Sequence, residues 1–284
     1  MKLKLVILTL LISIAAAVFS PCFAVLEWSV LNRLQLDTLP VDVAVSLNDK
    51  WVFVLNDRGE VLVFSRDGSL KEKIRVGKNI DQIKVGPREN LLYLNSRRNK
   101  TVDIVEFDFI HNINTADSPW RGSADAPVVI AVFTDFELPY CARFVPLLEQ
   151  VLELYPKDVK IVFKNYPLQS NAFSFKAAIA ALAAEGQGRF WEFHDLLFKD
   201  FNQLNNQKIK EIAGNLGLNE QEFEKKMGDP QIVRKIQQDI MDGINAEVRS
   251  VPSVFINGRL VRNRSMEGFV EIIDKELNKA RKKS

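Results

Sequence analysis

Residues Val128 to Thr134 form a continuous apolar run, and this run, with the residue pattern C-terminal to it, constrains the second half of the chain more than any other feature. Such a run reads as a central strand with both faces buried, hence covered by helices. From Pro139 to Leu154, the residues Phe144, Leu147, Leu148, Val151 and Leu152 recur at helical spacing despite Pro146. Lys160 to Lys164 reads as a second strand. Helical patterns then cover 172–184, 190–198, 209–216, 220–227 and 232–248. Ser253 to Ile256, the turn Asn257-Gly258 and Leu260-Val261 predict a hairpin, and a last helix runs from Met266 to about Ala280. Strand, helix, strand, helical block, hairpin and closing helix make an α/β unit with a helical insertion.

The first half has a different rhythm. Trp51-Val52-Phe53-Val54-Leu55, the turn Asn56-Asp57-Arg58-Gly59 and Val61-Leu62-Val63-Phe64 return about 40 residues later. The second copy is Leu91-Leu92-Tyr93-Leu94, Ser96-Arg97-Arg98-Asn99 and Val102-Asp103-Ile104-Val105. The preceding strands match too, with Val41 to Val45 against Asp81 to Val85. This period is similar to that of β-propeller blades, but a closed propeller typically has at least about four. The expectation is a small all-β, propeller-like repeat region over 25–112 that shields its edges on a second domain or a second subunit, so a homo-oligomer through this region is one partner arrangement. An antiparallel sheet with accidental spacing is the alternative. Turn formers from Asn114 to Pro127 predict a linker over 113–126, and the α/β domain is expected over 127–284.

The first 24 residues read as a secretory signal. Lys2 and Lys4 precede an apolar run from Leu5 to Val18, and Cys22-Phe23-Ala24 supplies small residues for cleavage after Ala24. A lipid anchor at Cys22 is the rival, disfavoured by Pro21. The expected location is periplasmic or secreted. Removing Lys2 and Lys4 from 38 basic residues leaves 36 against 36 acidic ones, which gives no electrostatic footprint for nucleic acid. Cleavage would also remove one of the two cysteines and leave Cys141 alone, where no internal disulfide can form. Two distant histidines and one cysteine cannot assemble a zinc-type cluster, so no metal is assigned. No cofactor is expected. His194, beside Trp191 and Asp195, reads as a packed or surface residue. Gly186, Gly188, Gly214 and Gly217 read as helix stops.

Asp125-Ala126-Pro127-Val128, Phe133-Thr134-Asp135-Phe136-Glu137-Leu138-Pro139-Tyr140-Cys141, Phe163 to Leu168, Gly188 to Phe198 and Val251-Pro252-Ser253-Val254-Phe255-Ile256-Asn257-Gly258 stand in the order of a known family. The span from about 117 to 280 resembles the DsbA-like thiol–disulfide oxidoreductases, which have a thioredoxin fold with a helical insertion. The resemblance implies a protein acting on protein thiols, with Val251-Pro252 held cis beside the redox motif. Family members carry Cys-Pro-Tyr-Cys where this chain has Leu-Pro-Tyr-Cys. Leu138 thus stands at the position of the nucleophilic cysteine, and Cys141 at that of the resolving one.

A helix N-terminus stabilises a thiolate, and the paired thiol closes the catalytic cycle. Leu138 removes the first half of that chemistry, so dithiol cycling is expected to be lost. Three readings remain open. Cys141 is a small buried hydrophobe; or it is a lone thiol whose mixed disulfides need an external thiol such as glutathione or a redox partner; or Leu138 is a change in an otherwise functional enzyme. Pro139, Tyr140, Val251 and Pro252 are the expected substrate-binding residues, with extended or unfolded polypeptide as partner. The alternative is a non-catalytic interaction module whose recognition surface is the β region.

Overall fold

The computed structural model describes residues 27–88 and 90–282, in two compact units, one ending at Glu106 and the other starting at Phe107. The expected signal segment and Cys22 lie outside the described residues.

In the first unit, β1 (Pro40–Val45), β2 (Trp51–Asn56), β3 (Glu60–Ser65) and β4 (Leu70–Arg75) form an antiparallel meander. A second, three-stranded meander is made of β5 (Gln82–Val85), β6 (Leu91–Ser96) and β7 (Thr101–Glu106). They cover the two stretches whose strand patterns match in the sequence. Alternation sets the faces: Val43, Val54 and Leu62 align on one side of the first meander, and Ala44, Phe53 and Val63 on the other. The β2–β3 turn is held by Asn56 Oδ1, which accepts from the Arg58 and Glu60 amides at 3.1 and 2.8 Å. Gly59 sits there at φ 77°, where a Cβ would lie 2.4 Å from the carbonyl carbon of Gly77. Among the described residues both sheets are antiparallel and there is no closed barrel or propeller ring, since two open sheets cannot surround an axis.

The second unit is built on a five-stranded sheet. Its strands are β8 (Trp120–Gly122), β9 (Val128–Thr134), β10 (Val159–Asn165), β11 (Ser253–Ile256) and β12 (Arg259–Leu260), in the order β12-β11-β9-β10-β8. The apolar run is the central strand, parallel to β10 and antiparallel to β11. Its helices are α1 (Pro139–Ala142), α2 (Val145–Leu154), α3 (Ser174–Glu185), α4 (Phe190–Lys199), α5 (Asn206–Asn215), α6 (Glu220–Met227), α7 (Pro230–Asn245) and α8 (Met266–Arg281). One side of the sheet (Ile130, Val132, Ile161, Val254) packs on Val151 of α2 and Phe269 and Ile273 of α8. The other side (Phe133, Phe255) packs on the buried alanines of α3, Phe193 of α4 and Ile236 of α7. The architecture is a thioredoxin-like α/β fold with a helical insertion.

Two local outcomes differ from the sequence pattern. The helical spacing over 139–154 is split at Arg143–Phe144 into α1 and α2, because Pro146 in the first turn of α2 has no amide to continue the earlier helix. Trp120–Gly122, within the segment rich in turn formers, is an edge strand paired with Lys160, Ile161 and Val162. At the hairpin, Asn257 and Gly258 both have positive φ, 45° and 79°, and a Cβ on Gly258 would lie 2.1 Å from the carbonyl oxygen of His111.

A buried polar network bolts α7 to the sheet. Lys164 Nζ, fully buried on β10, reaches Asp239 Oδ1 and Asp242 Oδ2 at 2.7 Å each and the Asn114 carbonyl at 2.8 Å. Asp239 also accepts from Lys235 Nζ at 2.7 Å and from the backbone and side-chain nitrogens of Asn165 at 3.0 Å. Lys235 Nζ donates in turn to Ser118 Oγ at 2.7 Å. Two ammonium groups and two carboxylates therefore balance inside the protein, the arrangement under which buried charge is tolerated.

Candidate functional site

The chain leaves the central strand at Thr134 and enters α1 through Asp135, Phe136, Glu137 and Leu138. Leu138 is the N-cap residue, extended at φ −95° and ψ 125°, and its side chain caps nothing. Pro139 presets the first helical turn. The Leu138 carbonyl accepts from the Cys141 amide at 3.0 Å and the Ala142 amide at 3.1 Å. The isobutyl group is half-buried, packed on the apolar cluster that includes Cys141 and Val251. Pro139 is half-buried, while Tyr140 is 68% exposed beneath the Arg143 guanidinium, 4.8 Å from its ring centre.

Cys141 is free and 1% exposed. Burial pushes its thiol pKa up; hydrogen bonds from the Thr134 side chain and the Asp135 backbone, and the charge of Arg264, oppose this without reversing it. The Val251–Pro252 peptide bond is cis, and both residues are buried. Ser253, the next residue, opens β11 opposite Phe133 of β9, which puts the proline at the end of the sheet from which the 135–138 segment departs. Arg264 Nη1 donates to the Pro252 carbonyl at 2.5 Å. The fold thus brings Leu138, Cys141 and Val251 into one cluster, with Pro252 adjoining and Tyr140 directed to solvent.

Sequence reasoning missed the groups that hold this loop. Buried Asp135 accepts from the Glu137 amide (2.8 Å), the Leu168 amide (2.8 Å), Asn171 Nδ2 (3.0 Å) and Ser174 Oγ. Glu137 Oε2 accepts from the Phe173 amide at 2.6 Å and Ser174 Oγ at 3.0 Å. The 166–174 loop is therefore strapped to the segment before α1 by the carboxylates of Asp135 and Glu137. Their position, immediately before Leu138, was the available signal. Arg264 gave none, since its partner carbonyl lies 12 residues away in sequence.

His194 is packed, the first of the two expected outcomes. Its ring lies among Phe136, Phe163, Phe198 and Trp191, and Nδ1 is 2.7 Å from Asp195 Oδ1. Burial pushes its pKa down, so it is neutral at pH 7 despite the neighbouring carboxylate. Asp195 also takes a 3.0 Å hydrogen bond from Arg121, which stacks on Trp191. Among the described residues, no group of three or more His, Cys, Asp or Glu is placed to hold a metal ion. No helix among them is long and apolar enough to cross a membrane.

Chemically, the described site holds one thiol, that of Cys141, and an isobutyl side chain, that of Leu138, at the N-cap of α1. The site offers a half-buried aliphatic surface, an exposed aromatic ring, and a guanidinium on the proline carbonyl.

A family model described as thioredoxin matches residues 114–275, more than half of the chain. The catalytic domain of ScsC from Proteus mirabilis superposes with a TM-score of 0.51 at 27% identity, covering 58% of this chain and 92% of that one. The thiol-disulfide exchange protein alpha-DsbA2 from Wolbachia pipientis shares the fold, with a TM-score of 0.52 at 21% identity over 56% of this chain and 87% of its own. A Na(+)/H(+) antiporter, NhaA 3 of Salinispora tropica, is 34% identical over 140 residues, which are 49% of this chain and 21% of the antiporter. The chain thus spans about a fifth of the length of the curated relatives it matches.

Proposed function

The chain belongs to the thioredoxin family, and from that premise we propose that it is an exported, DsbA-like protein that holds extended or unfolded polypeptide without oxidising it. The observation that carries this reading is Leu138 half-buried at the N-cap of α1, over a Cys141 that is free and buried. An apolar side chain at the attacking position offers a client a surface to bury, and the thiol behind it has no partner with which to turn over. Burial of Cys141 also argues against lone-thiol chemistry with glutathione or a redox partner, which requires an accessible thiolate. Leu138, Pro139 and Tyr140 would line one side of a client strand. The backbone at Val251 and Pro252 would pair with it, as strand addition requires. Under this proposal residues 1–24 are a cleaved signal, the protein is periplasmic or secreted, and the β region is a separate module.

The experiment is titration of an unfolded, cysteine-free polypeptide against the wild type and Leu138→Asp. Burying a leucine contributes about 1.5–3 kcal/mol, so the aspartate variant should bind roughly ten- to a hundredfold more weakly while keeping its fold. Equal affinity for both proteins would remove this site from the account.

A further inference from the structure

The two meanders of the first unit meet through unlike faces. Asp42, on the face of β1 that also carries Ala44, accepts from the Ile83 amide of β5 through Oδ2 at 2.8 Å. On that face of the first meander Phe53, Leu55, Val61 and Val63 are buried, and Asp42 and Ala44 are half-buried. Ile83, Leu92 and Leu94 on the β5–β7 sheet are buried as well. Among the described residues the two meanders therefore meet at β1 and β5, with the Phe53 face of the first and the Ile83 face of the second both buried.

Each meander also has a second face, and there the repeat is left open. Val43 lies opposite Val54 as Ile83 lies opposite Leu94, so Val43 is the counterpart of Ile83. Ile83 is 2% exposed; Val43 is 58% exposed, with exposed Val45 beside it on the same face. Likewise Val63 lies opposite Phe53 as Ile104 lies opposite Tyr93. Val63 is 1% exposed and Ile104 is 67% exposed, with exposed Val102 two residues before it. Val43, Val102 and Ile104 thus stand exposed at positions whose counterparts Ile83, Val61 and Val63 are buried, and the Ile104 face also carries Tyr93, Asn95 and Lys84. Leu34 and Leu36 cover only the Val54–Leu62–Phe64 part of the first open face and leave β1 bare.

We propose that these two faces bind a second copy of this chain, the Ile104 face of one protomer docking on the Val43 face of its partner. The occupant is specified by the repeat itself: the two open faces are complementary halves of a contact already made once within each protomer. Applied twice about a twofold axis, the contact closes a ring of four blade-like sheets, the smallest number typical of a closed propeller. Each contact joins two unlike faces, and that makes a distinctive prediction.

The test is sedimentation velocity on the purified protein across a roughly hundredfold range of micromolar concentrations. The wild type should sediment as a dimer. Val43→Asp and Ile104→Asp should each weaken association by about tenfold or more, since a carboxylate must be desolvated in the contact. An equimolar mixture of the two variants should recover a one-to-one dimer through the single undamaged pair of faces. Val45→Asp and Val102→Asp supply a second pair on the same faces should either first variant lose its circular dichroism. A monomeric wild type, a dimer indifferent to both substitutions, or a mixture that fails to associate would each overturn the proposal.

Discussion

Replacing Asp239 with alanine should destabilise the second unit more than any surface change in it. Oδ1 of Asp239 accepts from Lys164 and Lys235, both at 2.7 Å, and Oδ2 accepts from both nitrogens of Asn165 at 3.0 Å. Removing one partner of a buried ion pair costs about 3–5 kcal/mol, because the charge left behind keeps its desolvation penalty. The Asn165 donors, buried and unpaired, would each add about 1–3 kcal/mol if water did not reach them. These contributions overlap, so a net loss of about 4 kcal/mol is expected. With a urea slope of about 1–3 kcal/mol per molar, the midpoint should fall by about 2 M. The assay is urea titration read by labelling of Cys141, a probe inside the second unit's core, so that unfolding of the first unit does not enter the signal. The double variant Lys164→Met with Asp239→Leu removes one charge of each sign and should recover more than half of the loss. A loss below about 1 kcal/mol for Asp239→Ala, or a double variant no better than the single, would refute the argument that paired charge holds α7 on β10.

Three further outcomes are expected. Leu138→Cys should form a disulfide with Cys141 and oxidise added thiols, read by mass spectrometry before and after reduction; a folded variant without that bond would show that the motif has diverged beyond one residue. Acidification should draw on His194. Burial holds its folded pKa below 6.5, so the unfolded chain binds the proton more tightly, and the stability it contributes is complete above about pH 6.5 and declines below it. Glu185, raised by burial, works in the opposite sense nearer pH 4.5, so the comparison is with His194→Phe, whose stability should change less between about pH 7 and 5. Asp135→Ala should free the 166–174 loop, seen as faster amide exchange at Leu168 and Phe173; unchanged exchange would assign the strap to Glu137 alone.

Much of this fold was legible in the sequence because its strongest signals are local. The apolar run at Val128, the Asn257-Gly258 turn and the helix periods each report their own backbone, and the strand runs of the first half are antiparallel strands. That Leu138 and Cys141 share one helix start was legible for the same reason, since they are three residues apart in sequence. The features that escaped depend on distance in sequence. Lys164 looks like an outward residue of a strand, and Asp239 and Asp242 like the solvent face of an amphipathic helix, until packing brings Lys164 and Asp242 together across 78 residues of chain. Asp135 was visible beside the motif, but its acceptors' worth lies in donors from 168 to 174 that no spacing rule connects to it. The fate of the two repeats was equally closed to a reading of periods, which count blades without saying what meets the last one.

The central claim, that this thioredoxin-fold site cannot turn over, is tested most directly by incubating the purified protein with a reduced, unfolded client in the absence of added thiol or disulfide. The client's disulfide formation should proceed no faster than in buffer, with Leu138→Cys, once oxidised, transferring its disulfide as the positive control. Repeated oxidation of client by the wild-type protein, beyond one equivalent per chain, would contradict the account, because Cys141 would then be cycling with a partner the site does not contain.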